Sequence, residues 1–234
     1  NKKSILLFDR NSLLSVQAIE SIRNFGLIGV YVLEPAEPLP PMTQEDLEFE
    51  RFQIKAVSAI EEELDRILKT RKQSRIQTIA DMVIRNYGHL DEKINFYQNL
   101  RSLEDYVSRH SLNVAILCAM ITHVMNIRRE EQYHTVCAAI LHDMGKVKKH
   151  DDVYYGAPYT REDMLRNCET QEEAYGIIEE AFATDGSGIR RICQQAARKQ
   201  LDLFPEDGEK SRYKMLAGAN VLLVANRYDE ITAM

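Results

Sequence analysis

The period of apolar and polar positions changes along the chain, and each change marks an element. Ile5-Leu6-Leu7-Phe8 is a short apolar run suited to a strand. Leu13 to Phe25 carries an amphipathic helical pattern opened by Asn11-Ser12 and stopped by Gly26. Ile28-Gly29-Val30-Tyr31-Val32-Leu33 is rich in β-branched residues and predicts a second strand. Residues 1–33 therefore predict a small strand-helix-strand unit, too short to bury much core of its own.

Residues 34–43 hold four of the six prolines, which fix φ and remove donors, so this stretch predicts a stiff linker. Thr43, followed by Glu45 and Asp46, is a good helix start. Leu47, Phe52, Ile54, Val57, Ile60, Leu64, Ile67 and Leu68 then recur near helical spacing, predicting one long helix over 44–72. A stalk of this kind pairs with a second copy as readily as it packs on its own chain, and a homodimer through it is one expectation. Beyond it the pattern is helical over 75–87, 92–108, 110–126, 129–141, 161–167, 170–183, 187–200 and 211–233, with Gly and Pro punctuating loops near 156–158, 186–188 and 205–208. The predicted fold class is an all-α helical bundle with a small N-terminal α+β unit. Its segments are 1–33, the linker 34–43, connecting helices over 44–94 and a main domain over 95–234.

Composition narrows the partners. The formal charge of −6 on 234 residues leaves no broad positive surface for DNA or for anionic lipid. No uninterrupted apolar run, Val221 to Ala225 included, comes near the length of a membrane span. Cys118, Cys137, Cys168 and Cys193 show no ligand spacing, which predicts reduced, structural thiols and a cytoplasmic setting.

Candidate chemistry concentrates in Ala138-Ala139-Ile140-Leu141-His142-Asp143-Met144-Gly145-Lys146. Neighbouring helical residues point about 100° apart, so His142 and Asp143 reach one ion only where the helix ends and the ion lies off its tip. An imidazole nitrogen beside a carboxylate oxygen suits Mn, Fe, Zn or Ni. Lys146 follows a glycine stop and can meet a phosphate oxygen as a point charge. An isolated His-Asp pair is also a common capped helix end, so the pair does not decide alone. His89, His123, His134 and His150 have no partner at ligand spacing.

Taken with Tyr106-Val-Ser-Arg-His110-Ser111-Leu-Asn-Val114-Ala115, this stretch resembles the paired motifs that open an HD-GYP domain of the HD phosphohydrolase superfamily. The likeness extends through Gly156-Ala-Pro-Tyr-Thr160-Arg-Glu162 to Val224-Ala225-Asn226-Arg-Tyr228-Asp229-Glu-Ile-Thr232. The resemblance implies an HD-domain fold over about 95–234, with His110, His142 and Asp143 as metal ligands. It also implies that Lys146 is a catalytic or phosphate-contacting lysine, and it implies cyclic di-GMP hydrolysis with two or three metal ions.

The pattern departs from the family at several positions. Asn226 stands where the family has its last Asp ligand, and Glu172 aligns with its mid-domain His as a candidate further ligand. The family's His-His-Glu run and GYP loop are missing, and 192–200 offers Gln194, Gln195 and Arg198 instead, with Arg198 a candidate phosphate contact. Two functions follow as expectations. One is a degenerate signalling domain that binds a cyclic dinucleotide, another nucleotide or a protein partner with weak or no turnover. The other is a metal-dependent phosphodiesterase working with one divalent ion at His110, His142, Asp143 and Asn226.

Overall fold

Eight α-helices make up most of the described residues of the computed structural model, which are 14–24, 43–90, 105–148, 160–201 and 214–232. They are α1 (Val16–Asn24), α2 (Gln44–Thr70), α3 (Ile76–Tyr87), α4 (Tyr106–Val124), α5 (Arg129–Leu141), α6 (Arg161–Phe182), α7 (Gly186–Gln200) and α8 (Ala217–Thr232), with a 3-10 turn over Met144–Lys148 after α5. No strand occurs among the described residues, and the strand-like stretches 5–8 and 28–33 lie outside them, as does most of the proline-rich linker. No described helix is long and apolar enough to cross a membrane.

The chain divides into two compact units, residues 1–58 and 59–234. In the first, α1 buries no side chain. The start of α2 is closed by a reciprocal cap in which the Asp46 N–H donates to Thr43 Oγ1 at 3.1 Å and the Thr43 N–H donates to Asp46 Oδ2 at 2.8 Å.

The second unit begins inside α2, where Ile60, Leu64 and Ile67 are fully buried at helical spacing. Glu63 is buried on that helix and accepts from the backbone N–H groups of Ser74 and Arg75 at 2.8 and 2.9 Å. An anion there satisfies the donors at the start of α3, whose own N-cap residue, Arg75, makes no side-chain cap. Burial acts to raise the Glu63 carboxyl, but these N–H groups with Arg66 and Arg75 hold it below its ordinary value.

The centre of the unit is built from α4 and α5. Val136 to Leu141 are all fully buried, as a helix surrounded on every side must be. Helix α4 packs on α3, α5 and α8, α5 packs on α3, α7 and α8, and α6 lies over α7 and the 3-10 turn. Gly218 lets α8 come close to α5, because a side chain there would collide with the Thr135 hydroxyl.

Two expected helix breaks are absent. Helix α4 runs unbroken through Arg109, and α6 is one helix where breaks were expected near 109 and 168–169. In both places polar residues interrupt the apolar period while still facing inward: His110 and Asn113 on α4, Asn167 and Gln171 on α6. α8 begins at Ala217, later than the expected 211. All four cysteines are free thiols, three of them buried, and burial pushes Cys137 up to about 12 and Cys168 up to about 11.

Candidate metal centre

Helix α5 ends at Leu141, so His142 and Asp143 leave the helix in a turn, and the 3-10 turn carries Lys146 back toward them. Gly145 sits where this turn meets α6. A side chain there would lie 2.7 Å from both the Gln171 side chain and the Thr170 carbonyl. The Gly145 N–H donates to Gln171 Oε1 at 3.0 Å, and Gln171 Nε2 donates to Asp143 Oδ1 at 3.1 Å. Tyr175, one turn further along α6, donates its hydroxyl to the His142 carbonyl at 2.8 Å. The His-Asp turn is thus held from α6 by three hydrogen bonds.

Helix α4 supplies His110 and α8 supplies Asn226, both buried. His110 Nε2 lies 3.2 Å from His142 Nε2, 2.7 Å from Asn226 Oδ1 and 3.6 Å from Asp143 Oδ2. His142 Nε2 lies 3.1 Å from Asn226 Oδ1 and 3.7 Å from Asp143 Oδ1. Ligands about 2.0–2.2 Å from one ion stand roughly 3.0–3.4 Å apart, so these separations fit a single ion. Among the described residues, His110, His142 and Asp143 form the one group of three His, Cys, Asp or Glu side chains close enough to share an ion.

The proton positions strengthen the fit. His110 Nδ1 faces Asp229 Oδ2 at 2.6 Å, and His142 Nδ1 faces the Ala139 carbonyl at 2.8 Å. Both partners only accept, so Nδ1 is the donor in each ring, and in a neutral ring Nε2 then presents a lone pair. Burial, above all, pushes the His142 imidazole below its ordinary value and keeps it neutral. Asn226 Nδ2 is directed at Glu230 Oε1 at 3.2 Å, which aims Oδ1 at the two histidines. Two ring nitrogens, an amide oxygen and a carboxylate therefore turn lone pairs toward one small volume, an arrangement that calls for a cation. Burial acts to raise the Asp143 carboxyl, but Lys146 first, then His142 and His110, hold it well below the usual carboxylate range. Lys146 Nζ is 2.7 Å from Asp143 Oδ2.

Sequence reasoning missed Asp229, Asn113 and Gln171. Asp229 receives His110 on one oxygen and Asn113 Nδ2 at 3.0 Å on the other, orienting the imidazole as carboxylates do behind metal-bound histidines. Its place one helical turn beyond Asn226 was the available signal. Tyr106, one turn before His110, stacks on its ring with centroids 5.5 Å apart.

The structure does not bring Glu172 or Arg198 to the cluster. Glu172 Oε1 accepts from Gln194 Nε2 at 2.8 Å and from Arg198 Nη2 at 2.9 Å, a part-exposed pairing between α6 and α7. Gln171, one residue earlier, faces Asp143, and the difference is the rotation of about 100° per helical residue. A narrow cavity adjoins the cluster, lined by His142, Asp143, Lys146, Gln171 and Asn226 among others, and neither Glu172 nor Arg198 lines it.

Comparison with known proteins agrees with this arrangement. The family model described as HD domain matches residues 107–229, just over half of the chain, and its limits enclose His110, the His142-Asp143 pair, Asn226 and Asp229. No curated protein and no solved structure matches the chain. With an HD family match across α4 to α8 and a His-His-Asp cluster inside it, the chain belongs to the HD domain family.

Proposed function

We propose that this protein is an HD-GYP-like signalling domain with one metal site, which binds a cyclic dinucleotide or related nucleotide and turns it over weakly or not at all. In this reading His110, His142 and Asp143 hold one divalent transition metal, and Asn226 adds a neutral oxygen. The metal would supply a Lewis-acid charge that polarises a phosphoryl oxygen. The chain's own residues do the rest. Asp229 fixes the His110 tautomer, Tyr175 and Gln171 hold the His-Asp turn, and Lys146 places a positive charge at the cavity wall.

The observation that carries the reading is the contrast between the two sides of Asp143. One side faces the lone pairs of two histidines and Asn226. The other side adjoins α6 and α7, where the resemblance would place the ligands of further metals. There α7 lines the cavity with Cys193, Ala196, Ala197 and Gln200, and no imidazole or carboxylate of α6 or α7 joins them. Neutral amides and methyl groups do not replace the charge of imidazole and carboxylate ligands toward a divalent ion. A two-metal hydrolysis loses half of its phosphate clamp under these conditions.

A single-metal phosphohydrolase is the second reading. It is favoured by the survival of Lys146, buried against the ligand carboxylate and lining the same cavity. One experiment separates the two. Protein loaded with Mn(II) is titrated with cyclic di-GMP by calorimetry, and the same mixture is then assayed for linear product. Binding that chelation abolishes, without product, is the expected result. Sustained multiple turnover would establish the second reading, and absence of binding would remove cyclic di-GMP from the first.

A further inference from the structure

Asn226 stands between two sets of acceptors. On one side are the Nε2 atoms of His110 and His142, 2.7 and 3.1 Å from its Oδ1. On the other is Glu230 Oε1, 3.2 Å from its Nδ2. A primary amide donates from one end and accepts at the other, and a half-turn about its last bond exchanges the two with almost no change of shape. Neutral imidazoles fit to ligate a metal present lone pairs, so they compete with Glu230 for the amide protons. Asn226 is buried, so the amide finds its partners within the protein.

Charge decides this competition. Glu230 lies one helical turn beyond Asn226 on α8, with its side chain almost wholly buried. Hydrogen bonds to an ionised acceptor are roughly twice as strong as those between neutral groups. Arg227 Nη1 donates to Glu230 Oε2 at 3.2 Å, which leaves Oε1 to the amide. With the amide turned round, its oxygen would face that carboxylate, acceptor against acceptor. Resting on the reading that the histidine side holds a metal, we propose that Glu230 is the positioning residue of that site: its carboxylate fixes the Asn226 amide so that the oxygen faces the ion and the amide protons cannot close on the two histidines. Asn226 is thereby held ready as a ligand before the ion arrives. An Asp at this position would need no such partner, because its two oxygens are alike.

A double-mutant cycle tests this, read as Mn(II) affinity by calorimetry at about pH 8, where imidazoles are neutral. Glu230→Met removes the carboxylate with little change of length, and circular dichroism checks folding. In the wild-type background it is expected to weaken binding about tenfold, on the order of one net hydrogen bond that the ion must then break. In the Asn226→Asp background, where no amide can turn, the same change should cost less than about threefold. A purely structural role for Glu230, or one through its charge alone, would weaken both backgrounds alike. Equal losses in the two backgrounds, or no loss in either, would overturn the proposal while leaving the histidine site standing. Glu230→Ala takes the place of Glu230→Met if the latter does not fold. Fe(II), Zn(II) or Ni(II) replaces Mn(II) if wild type does not bind it, and binding of none of the four overturns the proposal together with the reading on which it rests.

Discussion

Replacing Asp143 by Ala is expected to abolish metal binding and to destabilise the fold by about 3–5 kcal/mol, the range for removing one partner of a buried ion pair. Both effects have one origin. The carboxylate is the single anion in the His-His-Asp group, and it also neutralises the buried Lys146 ammonium 2.7 Å away. Losing it takes the charge from the metal site and leaves a cation in a medium that solvates it poorly. Gln171 loses an acceptor as well. The sign of the pH dependence follows. Asp143 is held below its ordinary value when folded, so its contribution is fully present above the unfolded value of about 3.9 and is lost as pH falls through the folded one. Denaturant melts of wild type and Asp143→Ala should therefore differ most near neutral pH and converge in strong acid. Equal stability at neutral pH would mean that the Lys146 pairing contributes nothing.

Asn226→Asp is expected to act in the opposite direction, tightening metal binding by about ten- to a hundredfold, or about 1.4–2.8 kcal/mol. Asn226 Oδ1 already points at both histidine nitrogens, at 2.7 and 3.1 Å, so the substitution adds a negative charge where an ion would sit and needs no new geometry. The gain is smaller than a bare charge-ion contact would give, because the new carboxylate faces Glu230, which now accepts from the Asn226 amide. Arg227, 3.2 Å from Glu230, offsets part of that repulsion. Cyclic di-GMP hydrolysis should not accompany the tighter binding, since Gln195, Ala196 and Ala197 on α7 are unchanged. Calorimetry with Mn(II) checks the first half and a product assay the second. Unchanged metal affinity would place Asn226 outside the site.

The portion of this site visible in the sequence was the portion written in short motifs. His142 and Asp143 are adjacent at a helix end marked by Gly145, and His110 belongs to a second motif, so their meeting required only that α4 and α5 pack together, as they do. Residues that act through long-range packing were harder to read. Glu172 was aligned with the family's mid-domain His, but helix phase, which that alignment does not specify, turns Gln171 to Asp143 and sends Glu172 to Arg198. Asp229 stands in the last segment of the likeness without a role assigned to it there, and takes its role from lying one turn beyond Asn226 on α8, opposite His110. The false breaks near 109 and 168 share a cause: polar side chains that line a site spoil the apolar period of the helix carrying them. In those two helices, failure of the amphipathic pattern marks the wall of the candidate centre.

Metal content tests the central claim most directly. Protein reconstituted with Mn(II), Fe(II), Zn(II) or Ni(II), freed of loosely bound ions and measured by elemental analysis beside His142→Ala, is expected to retain one ion per chain with at least one of these metals, and the variant none. The geometry behind this is two imidazole nitrogens 3.2 Å apart, both kept as lone-pair donors by acceptors at Nδ1, with Asp143 beside them. Wild-type protein that retains none of the four metals, or a His142→Ala variant that retains as much as wild type, would contradict it.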